Sequence, residues 1–141
     1  MHLLIYKSRA AQSLDKKNFR DILYTSLEQN RSADVKGALL ATRRHFLQFL
    51  EGDFEAVNDT FFRIAADPRH TDIKLVSFGP VAKAHFTDWR MKGFGIFDLN
   101  LELEQRLKKT YGEEEGSVLL PTDQESALSL VRDLELTGTF D

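Results

Sequence analysis

A chain of 141 residues has the length of one ordinary domain, and 42% hydrophobic with 29% charged residues is a globular composition, not a disordered one. A formal net charge of −3 offers no basic field to nucleic acid or anionic lipid, and the absence of cysteine excludes a disulfide framework and any thiolate metal site. No apolar run reaches membrane-spanning length and the N-terminus enters a strand-like run at once, so a cytoplasmic protein without a signal peptide is expected.

His2 to Ser8 alternates with a period of two, placing Leu4, Tyr6 and Ser8 on one face and Leu3, Ile5 and Lys7 on the other, which predicts a strand. From about Leu14 to Asn30, Phe19, Ile22, Leu23 and Leu27 recur at helical spacing. Gly37 opens a strand from Ala38 to Thr42, Arg43 and Arg44 make a polar turn, and His45 to Leu50 returns antiparallel. Asp53 is a candidate cap for a helix running to about Ala66, with Phe54, Val57, Phe61 and Ile64 as one apolar stripe, ended by Pro68. Ile73 to Phe78 predicts a fourth strand, and Trp89 to Phe97 a fifth, bent at Gly93 or Gly95.

This order defines an α+β fold, a ferredoxin-like βαββαββ sandwich with a five-stranded mixed sheet and two helices on one face. Leu3, Ile5, Leu47 and Phe49 would leave the other face as an apolar patch, which the C-terminal segment can cover. There, Leu99, Leu103 and Leu107 suit a helix, and Glu113 to Glu115 reads as a solvated loop. A capping box from Thr122 to Glu125 starts a last helix carrying Leu128, Val131 and Leu134. With no repeat or linker, residues 1–97 are expected as the domain and 98–141 as a helical extension of the same unit.

Gln48 is the hardest residue to explain as structure, because an amide inside the run Phe46-Leu47-Gln48-Phe49-Leu50 must satisfy its donors and acceptors in a buried strand. By strand parity Tyr6 and Gln48 can both face the two helices. Asn30 is expected to close the first helix, as a cap or as a ligand group. Arg63 and Asp67 lie i,i+4, as a surface ion pair or as part of the same site. Trp89 and Met91 share one face of the fifth strand, as core or as site residues, and parity does not say which face. A phenol, two amides, a guanidinium and a carboxylate around an apolar slot are a set that can read the edge of a flat heterocycle. His45, His70 and His85 stand singly, so no metal site is expected.

In this register the sequence resembles the BLUF domains, flavin-based blue-light sensors, over roughly Leu3 to Phe94. The segments that carry the resemblance are IYKSRA with Tyr6, Asn30 itself, VKGALL, FLQFLEG with Gln48, RIAADPRH with Arg63 and Asp67, and FTDWRM with Trp89 and Met91. The resemblance implies a non-enzymatic photoreceptor that binds FAD, with FMN or riboflavin as alternatives. It implies Ile22 and Ile64 against the ring, Asn30, Arg63 and Asp67 on its polar edge with Gln29 beside them, and Gln48 bridging Tyr6 and the flavin. Tyr6 and Gln48 would be the photochemical pair, with Trp89 and Met91 passing the signal to the C-terminal helices and on to a separate downstream protein or an oligomer partner. Lys36 and Ala41 depart from the family pattern; Lys36 is expected to alter the pocket mouth or the flavin's phosphate end. Two other readings are a non-photochemical interaction module on the same fold and an acylphosphatase-type hydrolase. The second needs a Gly-rich phosphate cradle beside an Arg, and Arg9 has no such loop after it.

Overall fold

The computed structural model describes residues 1–87, 91–97 and 99–137. Five strands form one sheet in the order β4-β1-β3-β2-β5: β1 His2–Ala10, β2 Lys36–Ala41, β3 His45–Gly52, β4 His70–Pro80 and β5 Lys92–Gly95. β1 pairs antiparallel with β3 and β4, β2 pairs antiparallel with β3, and β5 lies parallel to β2, so the sheet is mixed as the element order predicts. Helices α1 (Lys16–Ala33) and α2 (Phe54–Ala65) lie on one face. The other carries α3 (Leu101–Tyr111), the small hairpin of β6 (Glu113–Glu114) and β7 (Ser117–Val118), and α4 (Gln124–Thr137).

Strand alternation divides the interior into two cores. Leu4, Tyr6, Leu39, Phe46 and Leu50 face α1 and α2 with Phe19, Leu23 and Val57. Leu3, Ile5, Leu40, Leu47 and Phe49 face the C-terminal segment and pack with Leu103, Leu107, Leu130, Val131 and Leu134. The cover expected over the second face is therefore in place, and it removes from water what would be a large apolar surface. Tight strand packing also explains Gly37, where a Cβ would lie 1.7 Å from the Phe49 carbonyl oxygen.

Several local expectations change. α1 does not end at Asn30 but runs a further turn, and Asp34 takes the left-handed cap with φ 56°. At its other end, Asp15 and Asn18 form a reciprocal capping box. Asp53 precedes α2 without a side-chain cap bond, so only its carbonyl serves the helix, accepting from the Val57 amide. The Arg43-Arg44 turn needs no Asn-Gly signal: Thr42 and His45 close it, and its two carbonyls accept from Leu14 and Ala10 beyond it. Glu113 to Glu115 is not a plain loop. Glu115 and Gly116, both at positive φ, turn it into the β6–β7 hairpin. The last helix is capped by Asp123, one residue later than expected, through the Ser126 amide at 2.9 Å. Of the fifth strand the structure describes only the part from Met91, and Trp89 lies outside the described residues.

Candidate functional site

β1 and β3 set the centre of the site. Tyr6 is paired directly with Gln48 in the antiparallel register, and both side chains turn toward α1 and α2. The Tyr6 hydroxyl donates to Gln48 Oε1, and Gln48 Nε2 reaches Met91 Sδ at 3.6 Å. Tyr6 is 2% and Gln48 1% exposed. Burial, and then the negative charge of Asp67, raise the Tyr6 phenol far above its ordinary value, so it stays neutral. On the β4 side the β1 register slips between Ile5 and Tyr6, a bulge-like break beside the key phenol.

Around this pair lies a slot walled by Tyr6, Ile22, Ser26, Gln29, Leu39 and Phe46 and by Gln48, Ile64, Asp67, Arg69 and His70. Ile22 and Ile64 supply apolar walls from the two helices, and Gln29 opens onto the slot from α1. A wider cleft of about 330 Å³ continues from it past Ile22 and Arg69 toward Ala11, Asn18 and Pro68. The slot itself holds only about 40 Å³, so a tricyclic ring requires α1 and α2 to part. α1 is suited to yield, since only Phe19, Leu23 and Asn30 of its 18 residues are buried.

Asn30 gives the sharpest test of whether a ligand belongs here. Its backbone carbonyl is engaged by the αL cap, accepting from the Asp34 and Val35 amides. Its side chain is 1% exposed, yet neither Oδ1 nor Nδ2 has a partner among the described residues. A buried amide left with both functions unpaired costs several kcal/mol by transfer data, about 1–3 by mutational data, and the fold itself offers no compensation. A carbonyl and a ring N–H presented side by side would satisfy both atoms, as the polar edge of a flavin does.

Arg63, in the last turn of α2, is exposed and is not among the residues that line this slot, and Asp67 lies beyond the end of the helix at Ala65. Asp67 is instead held by Arg69, whose Nη2 donates at 2.6 Å and whose backbone amide donates at 2.9 Å. These bonds hold the Asp67 carboxyl below its usual range. Beside it, His70 Nε2 lies 2.7 Å from the Ile64 carbonyl, which can only accept. Nε2 therefore carries the proton, leaving Nδ1 to meet the Ser8 hydroxyl at 2.7 Å. Sequence reasoning missed Arg69, His70, Ser26 and Phe46. The signal for the first two was Pro68, which turns the chain so that the next residues come back along the slot.

Met91 is buried in the core that contains Tyr6. Ala41 is fully buried on the same face. Lys36 does not reach the slot mouth: its ammonium donates to the Thr87 carbonyl at 2.8 Å. Arg9 is engaged bidentately by Glu115, which takes up the guanidinium a phosphate site would need. Among the described residues no group of His, Asp or Glu is placed to hold a metal ion, and no helix is long and apolar enough to cross a membrane.

Residues 1–92 match the BLUF family, described as sensors of blue light using FAD, and the chain belongs to that family. It is 32% identical over 89 residues to the photoactivated adenylate cyclase subunit beta of Euglena gracilis, covering 62% of this chain and 10% of that protein. It is 28% identical over 131 residues to the blue light- and temperature-regulated antirepressor BluF of Escherichia coli K12, covering 92% of this chain and 31% of that one. The dark-state structure of the BLUF protein BlrB superposes with a TM-score of 0.73 at 25% identity, covering 97% of this chain and 96% of the other. The chain thus spans about a tenth and about a third of those two longer relatives.

Proposed function

We propose that this protein is a blue-light photoreceptor in which flavin binds in the slot between α1 and α2 and the Tyr6–Gln48 pair converts absorption into a change of hydrogen bonding. The observation that carries this reading is the arrangement Tyr6–Gln48–Met91, a buried phenol donating to a buried amide that in turn donates to a thioether. When bound and excited by blue light, a flavin is a strong one-electron oxidant. The residues that would hold it are Asn30 and Gln29, Asp67 with Arg69, Gln48, and the walls Ile22 and Ile64. FAD is the expected form, with FMN or riboflavin as alternatives.

The remaining work belongs to the chain itself. Tyr6 is the oxidisable group of the slot, and its hydroxyl proton already points at Gln48 Oε1. An amide carries a donor and an acceptor on one end, so rotation or tautomerisation of Gln48 exchanges both of its bonds without burying a charge. In the present arrangement Oε1 faces Tyr6 and Nε2 faces Met91; in the other, the Tyr6 contact and the Met91 contact both change partner. Two arrangements of one buried network make a bistable element, as a switch requires.

Met91 and β5 give that switch an exit. Met91 belongs to the core with Tyr6, whereas Phe94 and Ile96, a few residues on, belong to the core with α3 and α4. A displacement at Met91 is thereby passed through the sheet to the C-terminal helices. From there the signal passes to a separate downstream protein or to a second copy of the chain, with no enzymatic step in this chain. Purified protein should be yellow, and blue light should shift its flavin band slightly to the red, reversing in the dark. Protein that stays colourless and takes up neither FAD nor FMN on refolding would sink the reading.

A further inference from the structure

Residues 85–87, which precede Met91 by a few positions in the sequence, are held by two charged side chains that the photochemistry does not use. Glu51 is 3% exposed. Its Oε1 accepts from the amides of His85 at 2.8 Å and Phe86 at 2.9 Å, and its Oε2 accepts from the His85 amide at 3.0 Å and lies 3.1 Å from His85 Nδ1. Lys36 stands directly opposite Glu51 in the β2–β3 register, and its ammonium takes the Thr87 carbonyl. One cross-strand pair of opposite charge therefore binds the donors and the acceptor of three consecutive residues. Phe86 pins the same stretch, its ring 5.5 Å from that of Phe49.

A carboxylate this deeply buried is tolerated only when hydrogen bonds satisfy it, and among the described residues His85 and Phe86 supply them. The loop is thus tied to β3 through a side chain. β3 reaches this part of the chain twice, through Glu51 on the C-terminal side of the sheet and through Gln48 to Met91 on the slot side.

We infer that Glu51 and Lys36 are positioning residues: their clamp on 85–87 keeps Met91 Sδ within reach of Gln48 Nε2 and so sets how long the rearranged amide persists after light. The kinetic half of this inference rests on the photoreceptor reading, whereas the clamp itself does not. Two measurements separate them. Amide hydrogen exchange on the flavin-free protein should show His85 and Phe86 exchanging faster by about tenfold or more in Glu51→Gln, which removes one acceptor and sets an NH₂ against an amide. In the flavin-bound protein, Glu51→Gln and Lys36→Met should both slow dark recovery of the red-shifted band by about three- to tenfold, because the Met91 contact that the amide returns to is no longer held in place, and Lys36→Arg should restore the parental rate.

Unchanged exchange in Glu51→Gln overturns the clamp. Faster exchange with parental recovery in both variants overturns the positioning role, as does recovery in Lys36→Arg that matches Lys36→Met. If Glu51→Gln does not fold, the Lys36 variants decide through the recovery rate. A parental protein with no light-induced shift overturns the photoreceptor reading and the kinetic role with it, while the exchange arm still decides the clamp.

Discussion

Tyr6 and Lys7 are neighbours on β1 and point to opposite faces of the sheet, where polar groups meet very different surroundings. On the C-terminal face Lys7 is buried with its ammonium donating to Glu114 and to the Leu120 carbonyl, both at 2.9 Å. Glu51 on the same face is satisfied by four bonds. Tyr111 is likewise tied to Asp133 at 2.5 Å and Ser129 at 2.9 Å. The slot face holds fewer buried helix residues, a narrow gap, and an Asn30 side chain with no partner at either atom among the described residues. Paired polar groups rigidify, and an amide with both functions unpaired, as in Asn30, is a place where a ligand can supply what the fold does not. One face is built to hold, the other to receive.

That contrast can be broken by mutation. Phe49, fully buried on the C-terminal face, should lose about 3–5 kcal/mol on Phe49→Ala, measured by urea unfolding. Ile22→Ala on the slot face should cost about 1 kcal/mol or less in the flavin-free protein, because Ile22 is only half-buried against the gap. Equal losses would erase the distinction between the faces.

A smaller and more pointed effect is expected at Asn30. Asn30→Leu should stabilise the flavin-free protein by about 1 kcal/mol, since it removes two unpaired buried atoms, and should abolish flavin uptake. A destabilised Asn30→Leu that still takes up flavin would mean that the fold, and not a ligand, satisfies the amide.

The smallest effect is on alkaline titration. Burial and Asp67 raise the Tyr6 phenol, so its neutral form belongs to the folded state, while an unfolded chain ionises tyrosine from about pH 10. This contribution to stability is complete below about pH 10 and is lost as pH rises toward the folded value. Phenolate absorbance should show Tyr111, pushed up to about 12, ionising before Tyr6, whose ionisation should come only with unfolding.

Much of this architecture was legible from pattern alone. Alternation in His2 to Ser8 and in His45 to Leu50 places Tyr6 and Gln48 on one face, and an amide inside an apolar run marks a candidate site without any geometry. What pattern could not supply depends on where helices stop. Asn30 looked terminal because its cap belongs to Asp34, a non-glycine residue in the left-handed region. The i,i+4 spacing of Arg63 and Asp67 runs past the end of α2, and Asp67 is bonded by Arg69. The β6–β7 hairpin was hidden because Glu115 and Gly116 sit at the end of a charge run. Lys36 was legible as unusual, but its partner lies 51 residues away.

The account turns on the Tyr6–Gln48 bond as the element that changes. Light-minus-dark absorption spectra of Tyr6→Phe and Gln48→Glu test this directly, with bound flavin quantified in the same samples. Both variants should bind flavin and show no reversible red shift, because the first removes the hydroxyl and the second removes the amide's paired donor and acceptor. A normal photocycle in both would contradict the account and move the switch to another pair.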